Sequence, residues 1–393
     1  MEALVKPVSG ITASFWNNRR VFVTGHTGFK GSWLSLWLKE LGAQVSGFAL
    51  NPATEPALFS LLNLQSQMTS HIADVRDATA LSSALKQSNA EVVFHLAAQP
   101  LVRASYTDPL QTYATNVMGT ANLLEAVRHQ ASVRAVVVVT TDKCYENREW
   151  LYGYRELDRL GGHDPYSSSK ACAELVTQAY RDSFFAHPAH GNPPVGIATA
   201  RAGNVIGGGD WAMDRLLPDA MRAFCNGQSL TLRYPSAVRP WQHVLEPIGG
   251  YLMLAERLYH KNHDFQGPWN FGPNNDSVAT VQAVVAQAAM CWEETYKTPA
   301  LWKTDTSAQP TESMLLLLDS TKSQTLLGWR PILSLHEAIQ KVVAFTHAWE
   351  MNEQLDEFCA SEIKAYQARI SAQSQKGLTP SQAITPQPAP QLK

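Results

Sequence analysis

The sequence has no paired-cysteine spacing, no block of basic residues and no long apolar run, and each absence removes a class of function. Its five cysteines, Cys144, Cys172, Cys225, Cys291 and Cys359, are scattered without C-x-x-C spacing. An odd, dispersed set fits reduced thiols in the cytoplasm better than a disulfide framework. The formal net charge of -2 hides no basic cluster. Nucleic acid, held chiefly through cations on its phosphates, is therefore not an expected partner. No apolar stretch approaches the roughly 18 residues of a bilayer span. The segment before Asn18 carries Glu2 and Lys6 but no apolar signal core, so neither secretion nor membrane insertion is expected. No internal repeat is visible, and no metal site is expected.

What is present is a 45% hydrophobic composition over 393 residues, enough to bury one large core or two moderate ones. From Arg20 onward, short β-branched runs alternate with longer amphipathic stretches, the sequence form of βαβ units and a parallel sheet. Strands are expected at Val21 to Thr24, Gln44 to Ala49, Glu91 to Leu96 and Ala135 to Thr140. The last reads A-V-V-V-V-T, the near-continuous apolar run of a strand covered on both faces, and is expected in the middle of the sheet. Helices are expected over Gly31 to Leu41, Asn116 to His129 and Pro165 to Phe185.

After Arg201 the periodicity loosens. Gly207-Gly208-Gly209 and Pro218, Pro235, Pro240, Pro247 and Pro268 mark turns, which points to a smaller α+β portion interleaved with the first. The expected fold class is α/β, a Rossmann-type doubly wound parallel sheet with an interleaved substrate-binding domain. The expected division is 1–15 extension, 16–203 with 236–265 dinucleotide-binding, 204–235 with 266–350 substrate-binding, and 351–374 C-terminal helix. The Gln-, Ser- and Pro-rich stretch 375–393 is expected to be a disordered tail.

The first strand runs into T-G-H-T-G-F-K-G and then directly into a helix. Gly25 permits the tight turn, Gly28 lets the backbone approach a pyrophosphate, and Gly31 allows close helix packing, while the helix N-terminus offers free N–H groups. Further on, Tyr166-Ser167-Ser168-Ser169-Lys170 opens a helix after Pro165, and a spacing of four puts Tyr and Lys on one face. A tyrosine near its ordinary pKa of about 10 is a poor base at neutral pH. A neighbouring ammonium and a positive cofactor ring are expected to favour the phenolate.

The G-x-x-G-x-x-G spacing and the Y-x-x-x-K motif, in that order, resemble the extended short-chain dehydrogenases. Within them T-T-D-K-C-Y-E-N, A-A-Q-P-L-V-R-x-S-Y, R-A-G-N-V-I-G-G-G-D-W-A and R-P-W-Q-H-V-L-E-P look like the CDP-glucose 4,6-dehydratases, over about Trp16 to Trp349. The resemblance implies a bound NAD cradled by Gly25, Thr27, Gly28, Phe29, Lys30 and Gly31. It adds Asp74 and Val75 against the adenine, Leu96, Ala97, Ala98 and Gln99 after a strand, and Asn116, Thr140, Tyr166 and Lys170. One departure is that Ala49-Leu50-Asn51, ending the second strand, has neither an acidic residue for a ribose hydroxyl nor an arginine pair for a 2′-phosphate. Lys30 and Arg76 are the nearby cations. NAD is favoured, and the choice against NADP stays open at these residues.

By the same resemblance the reaction is loss of water from a nucleotide sugar, with CDP-glucose as substrate. Thr141 bonds the hydroxyl being oxidised, Tyr166 with Lys170 removes its proton, and Asp142 and Lys143 serve as acid and base. Lys143 stands where most nucleotide-sugar dehydratases carry Glu. A lysine base needs its pKa of about 10.4 depressed, and one residue serving both roles through water is the alternative. Arg103, Asn204, Arg215 and Arg239 are the candidate diphosphate ligands. His243 is a further substrate candidate, though His243 and Trp241 could equally be core residues that orient Arg239. The apolar content of helices Asn116 to His129 and Pro165 to Phe185 fits the family's two-helix homodimer seam, with sheet coverage alone as the alternative. The competing readings are an epimerase or another dehydratase, and a cofactor-sensing regulator of the same fold.

Overall fold

The computed structural model describes residues 10–185, 194–260, 264–305 and 314–376; the stretch expected as a tail, 375–393, lies almost wholly outside them. In chain order the strands are β1 Arg20–Thr24, β2 Gln44–Ala49, β3 Thr69–Ile72, β4 Val92–His95, β5 Ala135–Val139, β6 Gly196–Ala202, β7 Asn204–Ile206, β8 Leu230–Leu232, β9 Val238–His243, β10 Gly267–Phe271, β11 Val278–Thr280 and β12 Trp302–Thr304. Seven of them form one parallel sheet in the order β10-β6-β5-β4-β1-β2-β3. The four expected strands are all in it, with ends shifted by one residue at most. Each residue of β5 is buried, as a strand with helices on both faces requires.

The chain winds outward in both directions from β1 and β4, so the carboxyl ends of these two strands flank the crevice where the strand order reverses. In open α/β sheets ligands bind at this switch point. Helix Phe29–Glu40 leaves β1 there and is buried along almost its whole length, Gly31 through Leu38. It is covered twice, by the sheet and by the C-terminal helix Leu355–Lys376, whose Tyr366 ring meets Trp37 edge-on at 5.6 Å. An indole buries on the order of 150–250 Å². At ~25 cal/mol per Å², burying Trp33 and Trp37 contributes about 4–6 kcal/mol each.

A smaller unit holds two short sheets, β11-β9-β7 and β12-β8. Its separate core is built from Leu217, Phe224, Trp241, Val284, Trp292 and Ile339. The division between the units differs from the expected one at both of its later boundaries. β9, expected with the dinucleotide-binding part, pairs with β7 and β11 in the small unit. β10, expected in the substrate part, is the edge strand of the large sheet, beside β6. Pro268 reads as a turn in sequence, but an edge strand tolerates proline because one side of its backbone needs no ladder partner. Helix Leu245–His260 then packs against the large sheet so closely that a Cβ on Gly250 would meet Phe271 at 2.3 Å. No helix among the described residues is long and apolar enough to cross a membrane.

Candidate active site

A cleft of about 1600 Å³ runs from the Gly25–Gly31 loop, past Tyr166, to β8 and β9 of the small unit. At its first end, Gly25 has φ +75°, and a Cβ there would sit 2.6 Å from the backbone nitrogen of Ala97. A Cβ on Gly31 would lie 2.0 Å from the Gly25 carbonyl oxygen. These two glycines are required by the turn itself. At Gly28 the nearest atom to a Cβ is 3.5 Å away, so the chain's own packing leaves that position open toward the cleft. Gly28 is also the N-cap of helix Phe29–Glu40 and carries no side-chain cap, which leaves the first N–H groups free for an anion. Such a cradle, with a dipole end and an open glycine face, fits a dinucleotide pyrophosphate.

Thr27, Phe29, Lys30, Asp74, Val75, Leu96, Ala97, Ala98 and Thr140 line the same cleft, as do Ala49, Leu50 and Asn51. Thr27 Oγ1 donates to the Leu50 carbonyl at 2.8 Å, tying the loop to the end of β2. The Asp74 carboxylate is bridged to Arg76 at 2.6 Å, and that hydrogen-bonded guanidinium holds it below the usual carboxylate range. Lys30 also lines this cleft. Its amine is buried within the fields of Arg215, Lys170, Asp142 and Asp210, and burial pushes it down to about 8.

Gln99 and Asn116, expected at the cofactor, do not line the cleft. Asn116 accepts from the Gln99 backbone N–H at 2.8 Å and donates to the Gln99 carbonyl at 3.1 Å and to Ser169 Oγ at 2.8 Å. Gln99 donates to Thr112 Oγ1 at 2.9 Å and to the Leu101 carbonyl at 3.0 Å. The two amides fasten the turn after β4 to the helix of Tyr166.

In the middle of the cleft, helix Pro165–Tyr180 is started by Asp164, which accepts from the Ser167 N–H at 2.9 Å. Tyr166 and Lys170 share its buried face, at 9% and 7% exposure, and Lys170 Nζ donates to the Val139 carbonyl at 3.3 Å. Burial pushes Lys170 down to about 8. It also pushes the Tyr166 phenol up to about 12, against the opposing Thr141 hydroxyl. Burial of the phenol thus outweighs the chain's own groups that favour its ionised form.

Opposite, the short turn Asp142–Cys144 follows β5. Thr141 Oγ1 caps it, accepting from the Lys143 N–H at 3.4 Å and donating to Asp142 Oδ1 at 2.9 Å. The Asp142 carboxyl is 2% exposed, and its Oδ2 has no hydrogen-bond partner among the described residues. Burial raises it above the usual carboxylate range, although Lys143, Thr141 and Arg239 pull the other way. Lys143 is half-buried and lines the cleft.

At the far end, Arg103, Asn204, Arg215 and Arg239 all line the cleft. Arg103 bridges to Asp214 at 3.0 Å and Arg215 to Asp210 at 2.7 Å. Arg233, which the sequence reading missed, shares Asp214 at 3.3 Å. His243 is not at the cleft. It is 1% exposed, accepts from the Leu245 N–H at 3.3 Å and meets Trp33 edge-on, and burial pushes it down to about 3, a neutral core imidazole. Trp241 does line the cleft, and its indole donates to the Ala279 carbonyl at 3.1 Å. Also missed was the buried pair Glu174 and Arg201. Its signal was legible: an arginine among the small residues of A-T-A-R-A in a buried strand demands an anion, and Glu174 lies one helical turn beyond Lys170.

Comparison with known proteins agrees with this arrangement. The family described as GDP-mannose 4,6 dehydratase matches residues 22–342. A CDP-glucose 4,6-dehydratase of Salmonella typhimurium is 49% identical over 91% of this chain and 98% of its own length. A dTDP-glucose 4,6-dehydratase of Shigella flexneri is 26% identical over 69% and 76%. Among solved structures, the UDP-glucuronic acid 4-epimerase of Bacillus cereus, in complex with UDP-glucuronic acid and NAD, superposes with a TM-score of 0.70 at 23% identity, covering 84% of this chain and 99% of that one. The chain thus belongs to the GDP-mannose 4,6-dehydratase family, among the NAD-dependent nucleotide-sugar epimerases and dehydratases.

Proposed function

We propose that this chain is a CDP-glucose 4,6-dehydratase, a hydro-lyase that converts CDP-D-glucose to CDP-4-dehydro-6-deoxy-D-glucose and water. The near-half identity to the Salmonella enzyme of that name over nearly the full chain carries the substrate. One observation carries the reaction type: Asp142 and Lys143 line the same cleft as the Tyr166-Lys170 face. NAD is the cofactor; Gly25, Gly28, Gly31 and Asp74 line the end of the cleft that would hold it, and when bound it would supply the hydride chemistry at C4 and C6 of the sugar without net consumption.

The residues divide the rest of the work. Tyr166 takes the proton of the C4 hydroxyl, which Thr141 orients, and Lys170 supports the phenolate. The resulting C4 ketone acidifies the C5 proton, which Lys143 removes. Asp142, favoured in its protonated form by burial, gives its proton to the departing C6 hydroxyl. Gly25, Gly28 and Gly31 with Asp74 hold the dinucleotide. Arg103, Asn204, Arg215 and Arg239 bind the diphosphate of the substrate, and the division into a large cofactor unit and a small substrate unit follows from these two ends of the cleft.

We further propose a cytoplasmic homodimer that supplies deoxysugars of the O-antigen kind. Leu110, Met118 and Leu175 support the dimer, since they are 80%, 55% and 54% exposed on the helices beside the cleft. Sedimentation of the purified protein tests it, and a monomer at micromolar concentration contradicts it. For the reaction, the protein with NAD is incubated separately with CDP-, dTDP-, UDP- and GDP-glucose or -mannose. The expected product is a 4-keto-6-deoxy sugar, detected by its absorbance in strong alkali and the loss of one water by mass, from CDP-glucose. Absence of that product rejects the assignment.

A further inference from the structure

Glu174 and Arg201 form an ion pair at 2.8 Å with side chains only 4% and 2% exposed. Glu174 Oε1 accepts from Thr140 Oγ1 at 2.5 Å and Arg201 Nε at 2.9 Å, and Oε2 from Thr199 Oγ1 at 2.6 Å and Arg201 Nη2 at 2.8 Å. Arg201 Nη1 donates to the Tyr145 hydroxyl at 2.7 Å and the Glu156 carbonyl at 3.0 Å. The pair therefore grips the residue before Thr141, the residue two beyond Lys143, and the helix that carries Tyr166 and Lys170. In stability alone an apolar pair of similar volume serves as well as a buried ion pair, so the position of these charges calls for another use.

We infer that Glu174, locked by Arg201, is a positioning residue for Lys170, which lies one turn before it on the same helix, while it also fixes the strand end that bears Thr141, Asp142 and Lys143. This rests on the catalytic reading of Tyr166 and Lys170 given above. The groups that face Lys170 are few. Tyr166 and Glu174 lie on its own helix, the Val139 carbonyl and Cys144 come from β5 and the turn after it, His95 from β4 and Lys30 from the glycine loop. His95 is pushed down to about 3 and is neutral, while the Cys144 thiol is pushed up and is also neutral. Lys30 repels. Among the described residues, Glu174 is left as the anion that opposes the burial of Lys170. Around Arg201 stand Tyr145, Cys144, Glu156 and Lys322, none of which replaces the carboxylate that bridges to Thr140.

The test compares wild type with Glu174→Gln and with Glu174→Gln/Arg201→Met. Gln keeps an acceptor for Thr140. A cavity of about 300 Å³ lined by Glu174, Thr177, Thr199 and Arg201 leaves water room beside the arginine it strands. The double variant removes both charges and is expected to fold even where the single one does not. Two readouts are taken: the Lys170 titration midpoint by carbon-13 lysine NMR, assigned with Lys170→Met, and the alkaline limb of kcat/KM for CDP-glucose. Side chains one helical turn apart are about 5–6 Å apart at Cβ, and loss of a charge at that range in a buried site moves a pKa by roughly one unit or more. Both readouts are expected to fall by that amount, with NAD binding kept. A midpoint and limb within a few tenths of wild type in a folded variant overturn the inference. A shifted midpoint in a protein that does not convert CDP-glucose would instead reject the substrate reading and leave the link between Glu174 and Lys170 standing.

Discussion

Replacing Asp142 by Asn separates the acid from the base in the elimination. The change is nearly isosteric, and its Oδ1 continues to accept from Thr141 Oγ1, now 2.9 Å away. What it removes is a proton from a carboxyl that is 2% exposed and whose Oδ2 has no partner among the described residues. With so little exposure, water has no ready route to replace the donor. A positioned general acid contributes about 10²–10⁴ in rate, and the closed site argues for the upper half of that range, roughly 4–5 kcal/mol at 1.36 kcal/mol per tenfold. Stability moves the other way. Burial raises the folded pKa of Asp142, so above its unfolded value the ionised carboxyl costs stability that a neutral amide does not. The melting temperature at neutral pH is therefore expected to be no lower than wild type. The deciding assay is mass spectrometry of CDP-glucose recovered from deuterium oxide. Asp142→Asn retains Lys143, so recovered substrate carries deuterium at C5 while product formation is nearly absent. Lys143→Met gives neither exchange nor product. Turnover by Asp142→Asn within about tenfold of wild type, or C5 exchange by Lys143→Met, refutes the division of roles.

Three further predictions concern the cofactor loop and the frame. Gly31→Ala places a Cβ 2.0 Å from the Gly25 carbonyl and must displace the turn, so calorimetry is expected to find NAD affinity lowered at least about tenfold, equivalent to ~1.4 kcal/mol; unchanged affinity contradicts the cradle. His26, His95 and His243 are pushed down by burial to about 4, 3 and 3 from 6.5. The unfolded chain then binds more protons as pH falls from 6.5 toward 4, so stability falls with it, by roughly 3 kcal/mol per histidine at the bottom of the window. Glu246, raised to about 7, and Asp142, Glu156 and Asp219, also raised by burial, run in the opposite direction and offset part of that fall. A melting temperature that does not drop between pH 6.5 and 5 would count against this. Tyr366→Phe removes the donor to Glu246 Oε2 at 2.6 Å, and the chemical-denaturation stability is expected to fall by about 1–3 kcal/mol; no change means that this hydrogen bond does not hold the C-terminal helix.

The first half of the fold was legible because its strands are β-branched runs bounded by glycine or polar residues, and β5, five valine or alanine residues long, has no other home than a sheet interior. β3, β6 and β10 were not. T-S-H-I is a four-residue edge strand with no buried residue, G-I-A-T-A-R-A is interrupted by three alanines and an arginine, and G-P-W-N-F begins with turn residues; each is a strand because a neighbour offers its backbone a ladder, which is a tertiary fact. In the site, Gly25, Tyr166 and Lys170 were legible from spacing, since loop turns and helix faces have fixed periods, while Asp142 was legible only through the resemblance. For His243 spacing left two readings open, and the structure takes the core one. A polar residue beside a motif can be turned inward to hold the motif in place, and sequence spacing does not record which way it turns.

Hydride migration within the sugar tests the proposed reaction most directly. CDP-glucose carrying deuterium at C4 is turned over with NAD in ordinary water, and the 4-keto-6-deoxy product is examined by mass spectrometry and NMR. Oxidation at C4, elimination across C5 and C6 and return of the same hydride require one deuterium at C6 of the product. Deuterium lost to solvent, deuterium retained only at C4 of an epimerised sugar, or no product from CDP-glucose would contradict it.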